Sequence, residues 1–236
     1  MYALFFCTLG PVLAPDPAAA QSGGRASCPS FGRPKVTIDY QMAPIRRDDG
    51  KSLAQLARMP GRKPGPAGSA HGHVLGLTQA RYGESSKIGA LFQPMPGGTV
   101  CGALQSLDVT FGFQERTVLV ARELPKGSCI HGEVLEHEMK HIATDEKLLK
   151  EFGPTLERRL EAAAARIGTV RARSQEQVLA AVRKPLEAEM RRLFQEFGQK
   201  RDRAQAKVDT VAEYDRVSQS CGGEVSKYLP EKSRRG

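Results

Sequence analysis

The sequence predicts an α+β fold: a small antiparallel sheet packed beside a helix that carries a His-Glu-x-x-His arrangement, followed by a long helical hairpin. Three observations predict it. Residues 28–126 are rich in turn residues and short β-branched runs, apolar residues recur at spacings of three and four from Cys129 onward, and Pro125-Lys-Gly-Ser128 separates the two patterns. With 236 residues, 40% of them hydrophobic and 26% charged, the chain suits one domain or one domain plus an appendage. No apolar run approaches the ~20 residues needed to span a bilayer, so neither a transmembrane protein nor a wholly disordered chain is expected.

The elements follow in order. Residues 1–21 hold a short apolar run and then small residues ahead of Gln21, the pattern of a secretory signal peptide, although no Lys or Arg precedes the run. The alternative is a buried N-terminal strand, which Pro11, Pro15 and Pro17 suit poorly. Strand-like runs lie at 35–40, 73–78, 106–111 and 116–121, with 112–115 reading as a hairpin loop between the last two. The Pro/Gly stretch at 59–68 reads as a surface loop, and Gly97-Gly98 as a turn rather than a phosphate loop. A helix is expected over 129–152, stopped by Gly153 and Pro154, and a second over 154–167, ended by Gly168. A third starts at Ser174, paired with Gln177 in a capping box, carries Val178, Val182, Leu186, Met190, Leu193 and Phe197, and should kink or split at Pro185. The expected organisation is a signal peptide at 1–21, a sheet with its helix at 28–152, a helical hairpin at 153–207, and a return segment with a basic tail at 208–236.

Beyond the leader four cysteines remain, Cys28, Cys101, Cys129 and Cys221, with no Cys-x-x-Cys pair to suggest a structural zinc or a redox site. Export and two disulfides support each other, so a periplasmic or secreted location is expected. Of the three pairings that four cysteines allow, the expectation is Cys101 with Cys129 and Cys28 with Cys221. The formal charge is +9, and Arg and Lys crowd the helical half. A basic helical face could meet an anionic envelope component, or it is a solvated face carrying i, i+4 pairs with Glu157, Glu161, Glu187 and Glu189. No nucleic-acid motif is present, and no nucleic-acid partner is expected.

Chemistry concentrates at His137-Glu138-Met139-Lys140-His141. On a helix the two histidines lie one turn apart, about 6 Å of rise, and each can place an imidazole nitrogen on one Zn2+. Zinc lowers the pKa of a water toward neutrality, and Glu138 can take that proton and pass it to a leaving amine. Helical projection puts Val134, His137, Glu138, His141, Ile142, Asp145, Leu148 and Leu149 on one face. Burying this many ionisable groups is costly, so the face calls for a cation or a dense hydrogen-bond network. Asp145 lies about 12 Å along the axis from His137, too far to share a tetrahedral site, and is expected to orient an imidazole or a neighbouring helix.

The third ligand must come from another element, and three residues compete: Glu161, Glu213 and Asp209. The run from His137 to Asp145 is similar to the zinc helix of the thermolysin-like metallopeptidases, and that resemblance implies Glu161, twenty positions after His141, as ligand. A broader resemblance is to a bacterial family of exported zinc-dependent proteases of otherwise unknown function. It is carried by an early strand ending at Tyr40, the Ser52-Leu-Ala-Gln-Leu56 segment before a Gly/Pro loop, Cys129 just ahead of the histidines, and a long helical return. It implies a small sheet beside the zinc helix and a peptide or protein substrate. The segment 208–216 offers Asp209 or Glu213 to complete the site and Tyr214 to donate to a developing oxyanion, or Asp209 and Thr210 only cap a short terminal helix. Of the other histidines, His71 and His73 could form a second metal site or nothing, and His131 is expected to be structural. The competing functional expectation is a secreted binding or scaffold protein whose metal is structural or absent.

Overall fold

The computed structural model describes residues 27–60 and 73–230. The expected signal peptide, the Pro/Gly loop from residue 61 on, His71 and the end of the basic tail lie outside the described residues. Five strands and four helices follow in the order β1 Lys35–Met42, β2 Ile45–Asp48, α1 Leu53–Leu56, β3 Gly76–Met95, β4 Thr99–Val120, α2 Cys129–Ile167, β5 Thr169–Ala172, α3 Gln175–Gln205 and α4 Val211–Gly223. One turn of 3-10 helix, Glu224–Lys227, closes the described chain. The fold mixes helix and strand as expected of an α+β protein.

The sheet is mixed, not antiparallel. Everything pairs with β4: β3 antiparallel along one side, and β5, β1 and β2 along the other, with β1 and β2 parallel to β4. The parallel pairs arise because β3 carries the chain away and β4 returns in the direction in which β1 and β2 already ran. The expected strands at 106–111 and 116–121 are one strand, and the reversal falls at 96–98, where Gly97 and Gly98 take φ of 82° and 75°. Gly112 is needed for another reason. Its φ is 146°, and a Cβ there would stand 2.0 Å from the Gln41 carbonyl oxygen, so glycine lets β1 close on β4.

Leu107, Val109, Phe111 and Phe113 alternate on the buried face of β4 and pack on Leu148, Phe152, Leu156 and Leu160 of α2 and on Val178, Val182, Leu186, Leu193 and Phe197 of α3. α2 runs through Pro154, so the expected stop at Phe152 is absent and the boundary at 152/153 falls inside a helix. Proline in a helix costs ~3 kcal/mol. Enclosing Leu156 and Leu160, each fully buried on the far side, contributes about 1.5–3 kcal/mol apiece and outweighs it. Pro185 likewise lies within a continuous α3, whose buried residues continue on both sides of it. Ion pairs Asp145–Arg201 and Arg159–Glu189 set α2 and α3 antiparallel, and Arg183, Arg192 and Lys200 also pair with glutamates of α3. None of the described helices is long and apolar enough to cross a membrane.

The disulfides are Cys28–Cys101 and Cys129–Cys221, which corrects the expected pairing. Cys101 lies near the start of β4 and Cys129 beyond its other end, and the strand from Cys101 to Val120 is about 60 Å long at the rise of an extended strand. They cannot meet.

Candidate metal centre

The side of α2 that meets the sheet and α4 is the one the projection selects: Val134, His137, Glu138, Ile142 and Asp145 are buried there, and His141 is half-buried. Ser128 starts the helix by accepting from the His131 N–H. On the facing side α3 ends at Gln205, and a short link leads to Thr210, which caps α4 by accepting from the Glu213 N–H. That link carries Asp209 onto the two histidines. Its Oδ1 lies 3.1 Å from His141 Nε2 and 3.5 Å from His137 Nε2. His137, His141 and Asp209 each present one ligand atom within 4.8 Å of the others, so the cluster can hold a metal ion.

The partners behind the rings fix which nitrogen carries the proton. Asp145 is fully buried and accepts from Arg201 through both carboxylate oxygens, at 2.7 and 2.9 Å. It also accepts from the Gln205 amide nitrogen at 2.6 Å. The Gln205 carbonyl oxygen is therefore the end turned to His141 Nδ1, which must donate to it. Behind His137, Nδ1 faces Glu213 Oε1 at 3.4 Å, and Glu213 is held ionised, at about 2, chiefly by Arg216 and then by Lys140. Neutral His141 thus turns an unprotonated Nε2 to Asp209, and His137 does the same in the tautomer that donates to Glu213. In those forms an acceptor faces an acceptor, and either a metal ion or a proton can sit between them. Without a metal a proton serves: burial disfavours charge on His141, but the hydrogen bonds it donates to Asp209 and Gln205 raise its pKa. Asp209 stays well below the usual carboxylate range because, against its burial, both imidazoles hydrogen-bond to it.

Glu138 is 4% exposed, and burial raises its pKa against the pull of the two imidazoles. The Thr78 hydroxyl on β3 lies 2.8 Å from its Oε2. Gly76 lies against it, with no room for a Cβ, which would stand 2.7 Å from Glu138 Oε1. Tyr214 packs edge-on to His137, with ring centres 5.7 Å apart, and its hydroxyl lies 3.5 Å from Asp209 Oδ1. A cavity of about 220 Å³ opens beside these groups, walled by His73, Leu75, Leu77, Val134, Val217 and Leu229.

Of the three competing third ligands, Asp209 joins the histidines. Glu213 instead stands behind His137. Glu161 is exposed on the same unbroken helix, about 30 Å along its axis from His141, and cannot reach. Asp145 positions Gln205 and Arg201 of α3, and through Gln205 it acts on His141. His131 is buried with Nε2 3.6 Å from the Asp49 carboxylate, away from the centre. Gln205 and Thr78 were missed. A neutral amide at a helix end and one threonine in a strand carry no signal in a single sequence.

No family model, curated protein or solved structure matches the chain. What the centre does rests on its own chemistry.

Proposed function

We propose that this protein is an exported zinc-dependent hydrolase of metallopeptidase type, with His137, His141 and Asp209 as ligands and Glu138 as general base. The observation that carries the reading is the convergence of two imidazole Nε2 atoms on one carboxylate oxygen, beside a buried glutamate. Two imidazoles and a carboxylate are the donor set of catalytic zinc sites that keep a fourth position open. Zinc bound there supplies a Lewis acid that polarises a carbonyl and brings a water's pKa near neutrality.

The chain's own residues do the rest. Glu138 takes a proton from the attacking water. It holds that proton until an amine leaves and then releases it. Thr78 holds one carboxylate oxygen of Glu138, leaving the other for the reaction. Gln205 and Glu213 keep the ligand rings in the tautomer that offers Nε2. Tyr214, on the cavity wall, is placed to donate to a developing oxyanion. The two disulfides suit an oxidising compartment, periplasmic or extracellular.

The test is Glu138→Gln, assayed on a mixed peptide library alongside zinc content. Zinc is retained and hydrolysis falls by at least about 10²-fold. Full activity in this variant would sink the mechanism.

A further inference from the structure

The two disulfides differ in how they can be reached and in what they hold. Cys101, of the first pair, is fully buried on β4. Cys129, of the second, is exposed at the head of α2, and Cys221 is half-buried. This second bridge ties α2 to the far end of α4, the helix that follows Asp209 and carries Glu213 and Tyr214.

Beyond the bridge, apolar burial holds α4 only weakly. Val217 is its one buried residue, and the 3-10 turn after it adds Val225. Enclosing two valines does not offset the conformational entropy of ordering a segment of this length. Its ion pairs to α2, Arg216–Glu133 and Lys140–Glu213, involve partly exposed side chains and hold less firmly than a covalent tie. Cys221 itself has φ of 56°, a left-handed conformation that a residue other than glycine holds only when its surroundings impose it.

We propose that Cys129–Cys221 is a redox latch on the metal centre: oxidised, it holds α4 on α2 and keeps Asp209 against the two imidazoles; reduced, it frees α4 and the centre loses its third ligand. This rests on the metal reading above. The reductant is a dithiol. It gives up two electrons and two protons and becomes a disulfide, while Cys129 and Cys221 become thiols. Release is local, because α4 adds nothing to the core shared by the sheet, α2 and α3, and only Val217 and Cys221 to the smaller cluster at the head of α2. In the other bridge Cys101 is buried and Cys28 half-buried, so it offers a reductant less than the exposed Cys129 does. Metal loading then follows the redox state of the compartment.

The experiment uses the full chain in oxidised form and the variant Cys129→Ser with Cys221→Ser. Each is titrated with Zn2+ against a chromophoric chelator, with circular dichroism in parallel. Serine replaces simple reduction here because free thiolates bind zinc themselves. The double variant keeps its secondary structure and binds zinc at least tenfold more weakly. In the wild type, graded dithiol followed by alkylation labels Cys129 and Cys221 before Cys28 and Cys101. Equal zinc affinity in the two proteins overturns the latch, as does global unfolding of the double variant, which would make the bridge a staple of the whole fold. An oxidised wild type that binds no zinc overturns the metal reading itself, and the latch with it.

Discussion

At the scale of single residues, Glu138 and Gln205 carry consequences that can be measured. Glu138 has a raised pKa in the folded protein, so the stability it contributes is fully present below its unfolded value near 4.5 and is lost as pH rises through the folded value. In metal-free protein, Glu138→Gln removes that loss and keeps a partner for Thr78. Its melting temperature at pH 7 should rise by about 3 °C, with no gain at pH 4, as read by calorimetry. Gln205→Leu leaves the His141 ring without its acceptor and weakens zinc binding by about 10- to 100-fold in a calorimetric titration, with secondary structure unchanged. His137, Glu138 and His141 were legible because an i, i+4 spacing on a helix is a geometric statement that a sequence makes alone. Asp209 was legible only as one of three, since its place depends on how α3 turns back. Glu161 was misread because the expected break at Pro154 would have folded it toward the histidines.

At the scale of elements, β4 and α2 show where local signals lose to packing. Glycine at 112 reads as a turn, yet its use is to admit the Gln41 carbonyl oxygen, and the strand passes straight through. Gly112→Ala should therefore destabilise the fold by at least about 2 kcal/mol in chemical denaturation, combining an unfavourable φ with overlap on β1. Pro154 and Pro185 read as stops or kinks, and both are overridden by apolar side chains that bury on either side of them. The apolar period of α3 was legible residue by residue, because Val178, Val182, Leu186, Met190, Leu193 and Phe197 are all buried. The short strands β2 and β5 were not, since four residues beside a long strand leave too little pattern to read.

For the whole molecule, the centre lies where two apolar clusters meet: one between the sheet, α2 and α3, the other gathering α1, the head of α2 and the C-terminal segment. The disulfide pairing belongs to this scale, and no spacing of cysteines could reveal which ends the sheet brings together. So does acid sensitivity. Glu213 has a folded pKa of about 2, so its ties to Lys140 and Arg216 are present above its unfolded value near 4.5 and are lost as pH falls toward 2. Near pH 3, α4 should exchange its amide hydrogens faster while α3 stays protected. The central claim, that His137, His141 and Asp209 hold zinc, is tested most directly by X-ray absorption at the zinc edge. The sample is the oxidised full chain loaded with one equivalent, measured beside His141→Ala. The expected spectrum shows a nitrogen and oxygen shell at about 2.0–2.1 Å with two imidazoles, one of which disappears in the variant. Zinc lost on dialysis of the wild type, a shell containing sulfur, or a shell unchanged in His141→Ala would contradict it.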